Sequence, residues 1–195
     1  MTTVDKVTPH PVFIAMCGKK QVGKDTSTVY AVEILSGHGK KVFVTAFANT
    51  LKDMCISLGF IIEKGAYGTD EEKNALSLLV WDTLPMDIRL KYSNENRNSF
   101  RREGTNPESH PIPRTGMMTN REVLQVVGTD IFRTMLDNNV WVNATLRRDW
   151  AGFDVIILTD CRFPNEKQAV DNAGGHVIRL ERNTGFKDNH VSETA

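Results

Sequence analysis

One stretch, GKKQVGKDT at residues 18–26, joins an apolar run at 12–17 to a segment whose apolar residues recur at helical spacing. Its glycines and lysine have the G-x4-G-K spacing of a phosphate-binding loop between a strand and a helix. Backbone N–H groups of such a loop converge on a phosphate at the helix N-terminus, and Lys24 can reach the outer phosphates. The stretch therefore predicts a phosphate site; the plainer alternative is a glycine-rich turn with an exposed lysine.

The residue after Lys24 departs from the usual form of this loop. The Ser or Thr that would hold Mg²⁺ is replaced by Asp25, and the hydroxyl follows one place later at Thr26. Nucleoside monophosphate kinases of the adenylate kinase kind also carry their Thr one place later, in GKGT. The variant therefore favours small-molecule kinases over GTPase switches, and it leaves open whether Thr26 or Asp25 faces the metal.

Composition excludes several other classes of protein. The 195 residues include 24 basic and 24 acidic side chains, so no global charge attracts nucleic acid or an anionic membrane. The longest apolar run, Val12–Cys17, is far shorter than the roughly 20 residues of a membrane helix. Three cysteines without CxxC or Cys/His spacing argue against a disulfide framework and a zinc site. We therefore expect a cytoplasmic protein whose partners are small molecules, with neither nucleic acid nor membrane among them.

The pattern of apolar segments predicts an α/β fold. Short apolar runs without polar alternation are typical of strands buried on both faces, and they alternate here with helical segments. The predicted strands span 12–17, 42–46, 154–159 and 176–181. The predicted helices span 24–36, 52–58, 119–127, 131–136, 142–150 and 166–173, with another that starts at Thr69 or Asp70 and carries Ala75, Leu76, Leu79 and Val80. Together they indicate a mostly parallel sheet with helices on both faces.

Residues 85–116 interrupt this pattern with four prolines, several Asn and Ser, and no periodicity, which predicts an irregular insertion. Residues 89–121 hold seven Lys and Arg against three acids, a local surplus of +4. Two interpretations stay open. The stretch is either a solvated surface excursion or a mobile basic loop over an anionic substrate.

Two polar stretches lie further along the chain. R-x-x-LQ-x-x-GTD, residues 121–130, sits on and after a helix whose Thr119 and Glu122 have capping-box spacing. Asp160 begins DCRFPNE directly after a predicted strand, where doubly wound sheets bind ligands at the strands' carboxyl ends. An Asp at that position can orient a magnesium-bound water. The alternative role for Asp160 is that of a helix N-cap or turn residue.

Taken in order, GKKQVGKDT, REVLQVVGTD, the Trp141 region and TDCRFPNE resemble the phage-type deoxynucleoside monophosphate kinases. The resemblance covers most of residues 12–193 and is weakest over 60–115. It implies one P-loop kinase domain over residues 1–195, with a lid or substrate-binding insertion at about 60–118. It also implies an ATP-dependent phosphotransferase that moves the γ-phosphate of ATP to a deoxynucleoside monophosphate, giving the diphosphate for DNA precursor synthesis. Mg²⁺ would be the cofactor, and the cytoplasm would be that of a host cell if a bacteriophage encodes the chain.

The motif matches imply roles for individual residues. The ATP and phosphate site would comprise Gly18, Lys20, Gly23, Lys24, Asp25 and Thr26. The acceptor site would comprise Lys20, Arg121, Gly128, Thr129, Trp141, Asp160, Arg162 and Glu166. Mg²⁺ would be held by Thr26 together with Asp160 or Asp25, and Lys24, Asp160 and Arg162 would be catalytic. Arg121 and Arg162 would clamp the acceptor phosphate, because a guanidinium meets two phosphate oxygens at once.

Some features and alternatives stay open. Gln21 stands where the family can carry a basic residue. His190-Val191-Ser192-Glu193 resembles a motif that precedes a final strand and helix in the family, so either a fifth strand or a C-terminal helix is missing after Ala195, or this relative is shorter. Trp141, between two valines, suits either the core or the acceptor site. A homodimer is compatible with the sequence.

The rival functions are another small-molecule P-loop kinase, such as a dephospho-coenzyme A kinase, and a non-catalytic ATP-binding regulatory or assembly module.

Overall fold

The helices and strands are given by a computed structural model that describes residues 10–19, 22–93 and 112–181. The strands are β1 Val12–Cys17, β2 Val42–Thr45, β3 Leu76–Val80, β4 Met117–Thr119, β5 Val155–Cys161 and β6 His176–Arg179. The α-helices are α1 Lys24–Gly37, α2 Phe47–Ser57, α3 Glu63–Tyr67, α4 Asp70–Asn74, α5 Met86–Lys91, α6 Asn120–Gln125, α7 Val140–Leu146 and α8 Pro164–Asn172. A 3₁₀ turn lies at Trp81–Thr83 and a π-helical segment at Val126–Leu136.

The chain divides into two compact units. Unit 1 is drawn from Met1–Thr50 and Asn139–Ala195, and unit 2 from Leu51–Asn138. The insertion expected at about 60–118 falls within the sequence limits of unit 2. Its role as a lid on a single kinase domain stays a prediction.

Unit 1 contains the four-stranded sheet, in the order β2-β5-β1-β6 with every pairing parallel. Successive residues of β1 point to opposite faces. Phe13 and Ala15 join the apolar layer that contains Val170 of α8, while Met16 joins the opposite layer, against which Val32 of α1 packs. Both faces of the sheet are therefore covered by helices. The predicted fold class, a mostly parallel α/β sheet of the P-loop kinase type, is confirmed.

The helix expected to run from Thr69 through Val80 is wrong in its second half. Its start is confirmed, because Thr69 and Glu72 form a capping box at the N-terminus of α4. The helix ends at Asn74, and Leu76–Val80 then forms β3, antiparallel to β4. A short apolar run fits a strand as well as a helix. The partner strand, about forty residues further on, decides between them.

The stretch expected to be irregular, 85–116, contains helix α5, so that expectation is wrong over Met86–Lys91. Four of the seven basic side chains between 89 and 121 are described, and each pairs with an acid of unit 2. The pairs are Arg89–Asp82, Lys91–Asp130, Arg114–Glu122 and Arg121–Asp70. Within the described residues, this positive charge is balanced locally. Arg97, Arg101 and Arg102 lie outside the described residues, so the two interpretations of the loop stay open.

Other features agree with the composition. Along residues 10–19, 22–93 and 112–181, no helix has both the length and the apolar character that crossing a membrane demands.

Cys17, Cys55 and Cys161 are free thiols, and all three are buried. Burial raises the pKa of Cys55 to about 11 and that of Cys161 to about 12. Because thiolate is the reactive form, neither thiol is chemically active at neutral pH.

The buried thiols give a test of the fold. We expect a thiol reagent such as DTNB to react slowly with all three cysteines in the native protein at pH 8, and rapidly with all three in denaturant. The Cys161→Ser variant should react with two equivalents in denaturant. Fast reaction of a native thiol that disappears in Cys161→Ser would contradict the placement of Cys161 in the core.

Candidate functional site

The two glycines between β1 and α1 adopt backbone conformations that are unusual for other residues. Gly18 has φ 150° and Gly23, the residue before α1, has φ 104°, and both values favour glycine. A Cβ on Gly18 would lie 2.6 Å from the carbonyl oxygen of Leu180, so the chain passes too close for any side chain. Both glycines are therefore needed where the sequence places them. Lys20, like Gln21, lies outside the described residues, and its predicted role stays a prediction.

The Lys24 ammonium is folded back into this loop. Its Nζ donates to the carbonyl oxygens of Gly18 at 2.7 Å and Lys19 at 2.8 Å. Lys24 is also the first residue of α1, where the helix dipole disfavours a positive charge. An anion at this helix N-terminus would reverse that penalty, because it would meet the ammonium and the first-turn N–H groups together. The arrangement thus suits a phosphate.

Asp25 and Thr26 occupy the first turn of α1, and both are exposed. Their carboxylate and hydroxyl oxygens are the hard ligands that Mg²⁺ prefers, and a nucleotide-bound magnesium takes most of its other ligands from phosphates and water. This donor set fits the metal. No cluster of three or more His, Cys, Asp or Glu side chains suited to a metal occurs among residues 10–19, 22–93 and 112–181. Which of Asp25 and Thr26 faces the metal stays a prediction.

Asp160 lies at an irregularity in β5. Ala15 pairs with Leu158 and Cys17 pairs with Cys161, so two residues of β5 oppose the single residue Met16 of β1. Regular alternation would place Asp160 on the same face as Ile156 and Leu158. The extra residue instead brings Cys161 into that apolar layer. Bulges of this kind re-aim side chains and occur next to active sites.

The Asp160 carboxylate reaches the start of α2. Its oxygens accept from the backbone N–H groups of Phe47 at 2.7 Å and Ala48 at 3.0 Å. Asp160 therefore acts as a helix cap, which was the alternative interpretation, but the helix it caps is α2, which is distant in sequence. Burial raises the pKa of Asp160, while these hydrogen bonds and the Arg162 charge oppose the rise. Because burial disfavours the ionised form of this carboxylate, a nearby cation would stabilise that form. A raised carboxylate pKa of this kind agrees with a position in a functional site.

Glu166 and Arg162 form the turn into α8. The Glu166 side chain is 2% exposed, and its Oε2 accepts from the N–H groups of Arg162 at 2.8 Å and Phe163 at 3.0 Å. These bonds satisfy donors at the helix N-terminus and fix the backbone that carries Arg162. Glu166 therefore holds its own turn, and its role toward an acceptor stays a prediction.

The sheet brings the loop and the DCR segment together. Because Cys17 and Cys161 are paired, Gly18 and Arg162 leave the sheet at neighbouring positions on the same edge. The chain runs from β1 through α1 to one face of the sheet, and from β5 through α8 to the other. Ligands of open α/β sheets bind where crossovers diverge in this way. The edge between β1 and β5 is therefore the candidate site of unit 1.

Trp141 lies on α7 in unit 1 and is 4% exposed. The same helix contributes Val142 to the apolar layer that contains Trp150. A ring that is 4% exposed presents little of its face to solvent, so stacking on a base would require the groups that cover it to move. This burial agrees with the core alternative, and the nucleotide role stays a prediction.

Arg121 lies in the first turn of α6 in unit 2 and is held by α4. Its Nε donates to the Asn74 amide oxygen at 3.0 Å, and one of its terminal nitrogens donates to Asp70 at 3.0 Å. Both partners of the ion pair are more than half exposed, so the pair is solvent-screened and contributes little to stability. A phosphate dianion could replace Asp70 at low free-energy cost.

Gly128 and Thr129 lie on the π-helical segment of unit 2. A Cβ on Gly128 would lie 2.4 Å from a methyl carbon of Leu51, so this glycine permits close packing of the segment on α2. Thr129 is exposed. Asp130, the last residue of the motif, was not among the predicted site residues; it is buried and accepts from Lys91 and Tyr92. Its place next to Thr129 in the GTD motif is the signal that could have singled it out.

A parallel sheet with helices on both faces, and a G-x4-G-K loop after an interior strand, defines the fold as that of the P-loop kinases. The family model for deoxynucleotide monophosphate kinase matches residues 73–195, which is more than half of the chain. A protein of Acanthamoeba polyphaga mimivirus, named "Putative deoxynucleotide monophosphate kinase", is 25% identical over 197 residues, 93% of this chain and 80% of that protein. The chain belongs to the deoxynucleotide monophosphate kinase family, and so to a class of phosphotransferase enzymes. Since residues 18–26 precede the matched range, the loop and the family match are independent observations.

The bonds from Asp160 to α2 predict a loss of stability that does not depend on magnesium. Asp160→Ala removes both acceptors, and we expect the free energy of unfolding to fall by about 1–2 kcal/mol in magnesium-free buffer, as for a lost helix cap. Asp160→Asn keeps one acceptor oxygen and should lose less. Denaturant titration measures both. An alanine variant as stable as wild type would show that the carboxylate does not hold α2.

The close packing of Gly128 on Leu51 predicts a compensating pair. Gly128→Ala should destabilise unit 2 by about 1–3 kcal/mol, because the new methyl group overlaps the leucine. Leu51→Ala should cost less in the Gly128→Ala background than alone, so the double variant should lose less stability than the sum of the two single losses. Thermal melting of the four proteins measures the coupling, and strictly additive effects would contradict the packing.

Proposed function

We propose that this protein transfers the γ-phosphoryl group of ATP to a deoxynucleoside monophosphate, giving ADP and the deoxynucleoside diphosphate. The observation that carries the proposal is the Lys24 ammonium, held inside the loop at the sheet edge where Asp160 and Arg162 emerge from the neighbouring strand. Membership of the kinase family supports the reaction class. ATP and deoxynucleoside monophosphates would be its partners, in the cytoplasm.

The chemistry requires little of the protein beyond alignment and charge neutralisation. The acceptor is already a phosphate anion at neutral pH, so no strong general base is needed. Lys24 and the N–H groups at the start of α1 would bind the outer phosphates of the donor. Lys24 would exchange its two carbonyl partners for phosphate oxygens, gaining charge-assisted hydrogen bonds.

Magnesium bound with ATP would neutralise charge on the donor phosphates. Thr26, with Asp25 or Asp160, would hold it. Asp160 differs from the other two because its carboxylate already accepts two backbone N–H groups. Each carboxylate oxygen has a second lone pair, so those bonds leave capacity toward a metal-bound water.

Arg162 and Arg121 would bind the acceptor phosphate. The Arg162 backbone is fixed by the buried Glu166 carboxylate, so its side chain starts from a defined position at the sheet edge. Arg121 is pre-oriented by Asp70 and Asn74 through an exposed ion pair that a phosphate can replace. A planar guanidinium matches two phosphate oxygens, which a lysine cannot do.

The test is a coupled ADP-release assay with ATP, Mg²⁺ and a panel of deoxy- and ribonucleoside monophosphates. We expect acceptor-dependent ADP release by the wild type, and a loss in kcat of about 100-fold or more in Lys24→Met, the effect of removing one preorganised electrostatic group. Lys40→Met is the matched control, since Lys40 is an exposed lysine after α1 and should leave kcat unchanged.

Each other outcome has a defined meaning. ADP release that is independent of every monophosphate, or binding of ATP without ADP release, would contradict the proposal and favour a non-catalytic ATP-binding module. Release stimulated only by an alcohol acceptor such as dephospho-coenzyme A would favour another small-molecule kinase. Near wild-type kcat in a folded Lys24→Met variant would remove Lys24 from the site.

A further inference from the structure

Asp130 is a buried charged residue that the phosphoryl-transfer scheme above does not use. The residue is 4% exposed, and both carboxylate oxygens have partners in unit 2. One accepts from the Lys91 ammonium, and the other accepts from the Tyr92 hydroxyl at 2.7 Å. Lys91 and Tyr92 stand at the end of α5, whereas Asp130 stands on the π-helical segment. The carboxylate therefore ties these two elements together.

These bonds satisfy the buried carboxylate of Asp130. A buried carboxylate is costly unless it is paired and hydrogen-bonded, and Asp130 is both. Burial and the bond to Asp130 raise the pKa of Tyr92, so its hydroxyl remains a donor at neutral pH. The Tyr92 ring also packs against the Trp81 ring, with centroids 5.1 Å apart. Asp130 is thus attached to a rigid neighbour.

The residue that these contacts surround is Thr129. Gly128 on one side packs directly on Leu51, and Asp130 on the other side is held by α5, while Thr129 itself is exposed. Its carbonyl oxygen also accepts from the Thr134 hydroxyl at 2.9 Å. Because Gly128 and Asp130 on either side are buried and held by contacts, the exposed Thr129 has a defined position. The π-helical backbone supports a functional role. Such segments are rare in proteins overall, and those that occur are often found at functional sites.

We propose that Asp130 is a positioning residue for the acceptor nucleotide, acting through Lys91 and Tyr92 to hold Thr129 where it contacts the monophosphate. The inference rests on the proposed function, because it takes Thr129 as an acceptor contact. It adds that acceptor affinity depends on a buried carboxylate that does not touch the nucleotide. Donor affinity, which depends on the loop at 18–26, is independent of that carboxylate.

The test variant is Tyr92→Phe, which removes one hydrogen bond from Asp130 and keeps the ring that packs on Trp81. We expect KM for the deoxynucleoside monophosphate to rise about tenfold, equivalent to about 1.4 kcal/mol, with KM for ATP unchanged. The matched control is Asp82→Asn, which weakens another ion pair of unit 2, that of Asp82 with Arg89. The control should leave both KM values unchanged.

A second variant, Lys91→Met, removes the other partner and should raise the same acceptor KM, so the inference stays testable if Tyr92→Phe does not fold. An acceptor KM within twofold of wild type in the folded variants would overturn the inference. A parallel rise in both KM values, or in the Asp82→Asn control, would overturn it too, because it would indicate general loosening of unit 2. A wild-type enzyme without deoxynucleoside monophosphate kinase activity would instead overturn the proposed function.

Discussion

The parallel pairing of β1 with β5 is the constraint on which the candidate site depends. Cys17 and Cys161 are partners in that pairing, so the loop that starts at Gly18 and the turn that starts at Arg162 leave the sheet side by side. The extra residue of β5 keeps Cys161 in the apolar layer and frees Asp160 to reach the start of α2. A shift of one residue in this register would move each side chain of the strand to the opposite face of the sheet. The packing of the core and the placement of the polar groups are therefore fixed together.

Two charges in unit 1, those of Lys24 and Asp160, lie where the protein alone disfavours them. Lys24 carries a positive charge at a helix N-terminus, and Asp160 carries a carboxylate whose ionisation is opposed by burial. Backbone groups compensate both, through the carbonyls of the loop and the N–H groups of α2. Groups placed where they do not favour stability are expected at functional sites. A phosphate near Lys24 and a metal near Asp160 would each stabilise the charge beside it.

The sequence was sufficient for the sheet and the loop because both depend on local patterns. Apolar runs and the G-x4-G-K spacing are short-range features, and the structure retains them at β1, β5 and α1. Strand β3 was predicted as helix, because its partner β4 lies far along the chain. The bond from Asp160 to α2 and the burial of Asp130 also join distant segments, so no local spacing reveals them. The predicted acceptor residues Arg121, Thr129 and Trp141 come from a resemblance, and their roles stay predictions.

The most direct test of the central claim follows the phosphoryl group itself. The protein is incubated with ATP labelled with ³²P at the γ-phosphate, Mg²⁺ and an unlabelled deoxynucleoside monophosphate, and the products are separated by chromatography. The account predicts that the label appears in the deoxynucleoside diphosphate, in amounts equal to the ADP formed, and that Lys24→Met slows the transfer by about 100-fold or more. Label that appears only in inorganic phosphate, or that stays in ATP with every deoxynucleoside monophosphate supplied, would contradict it.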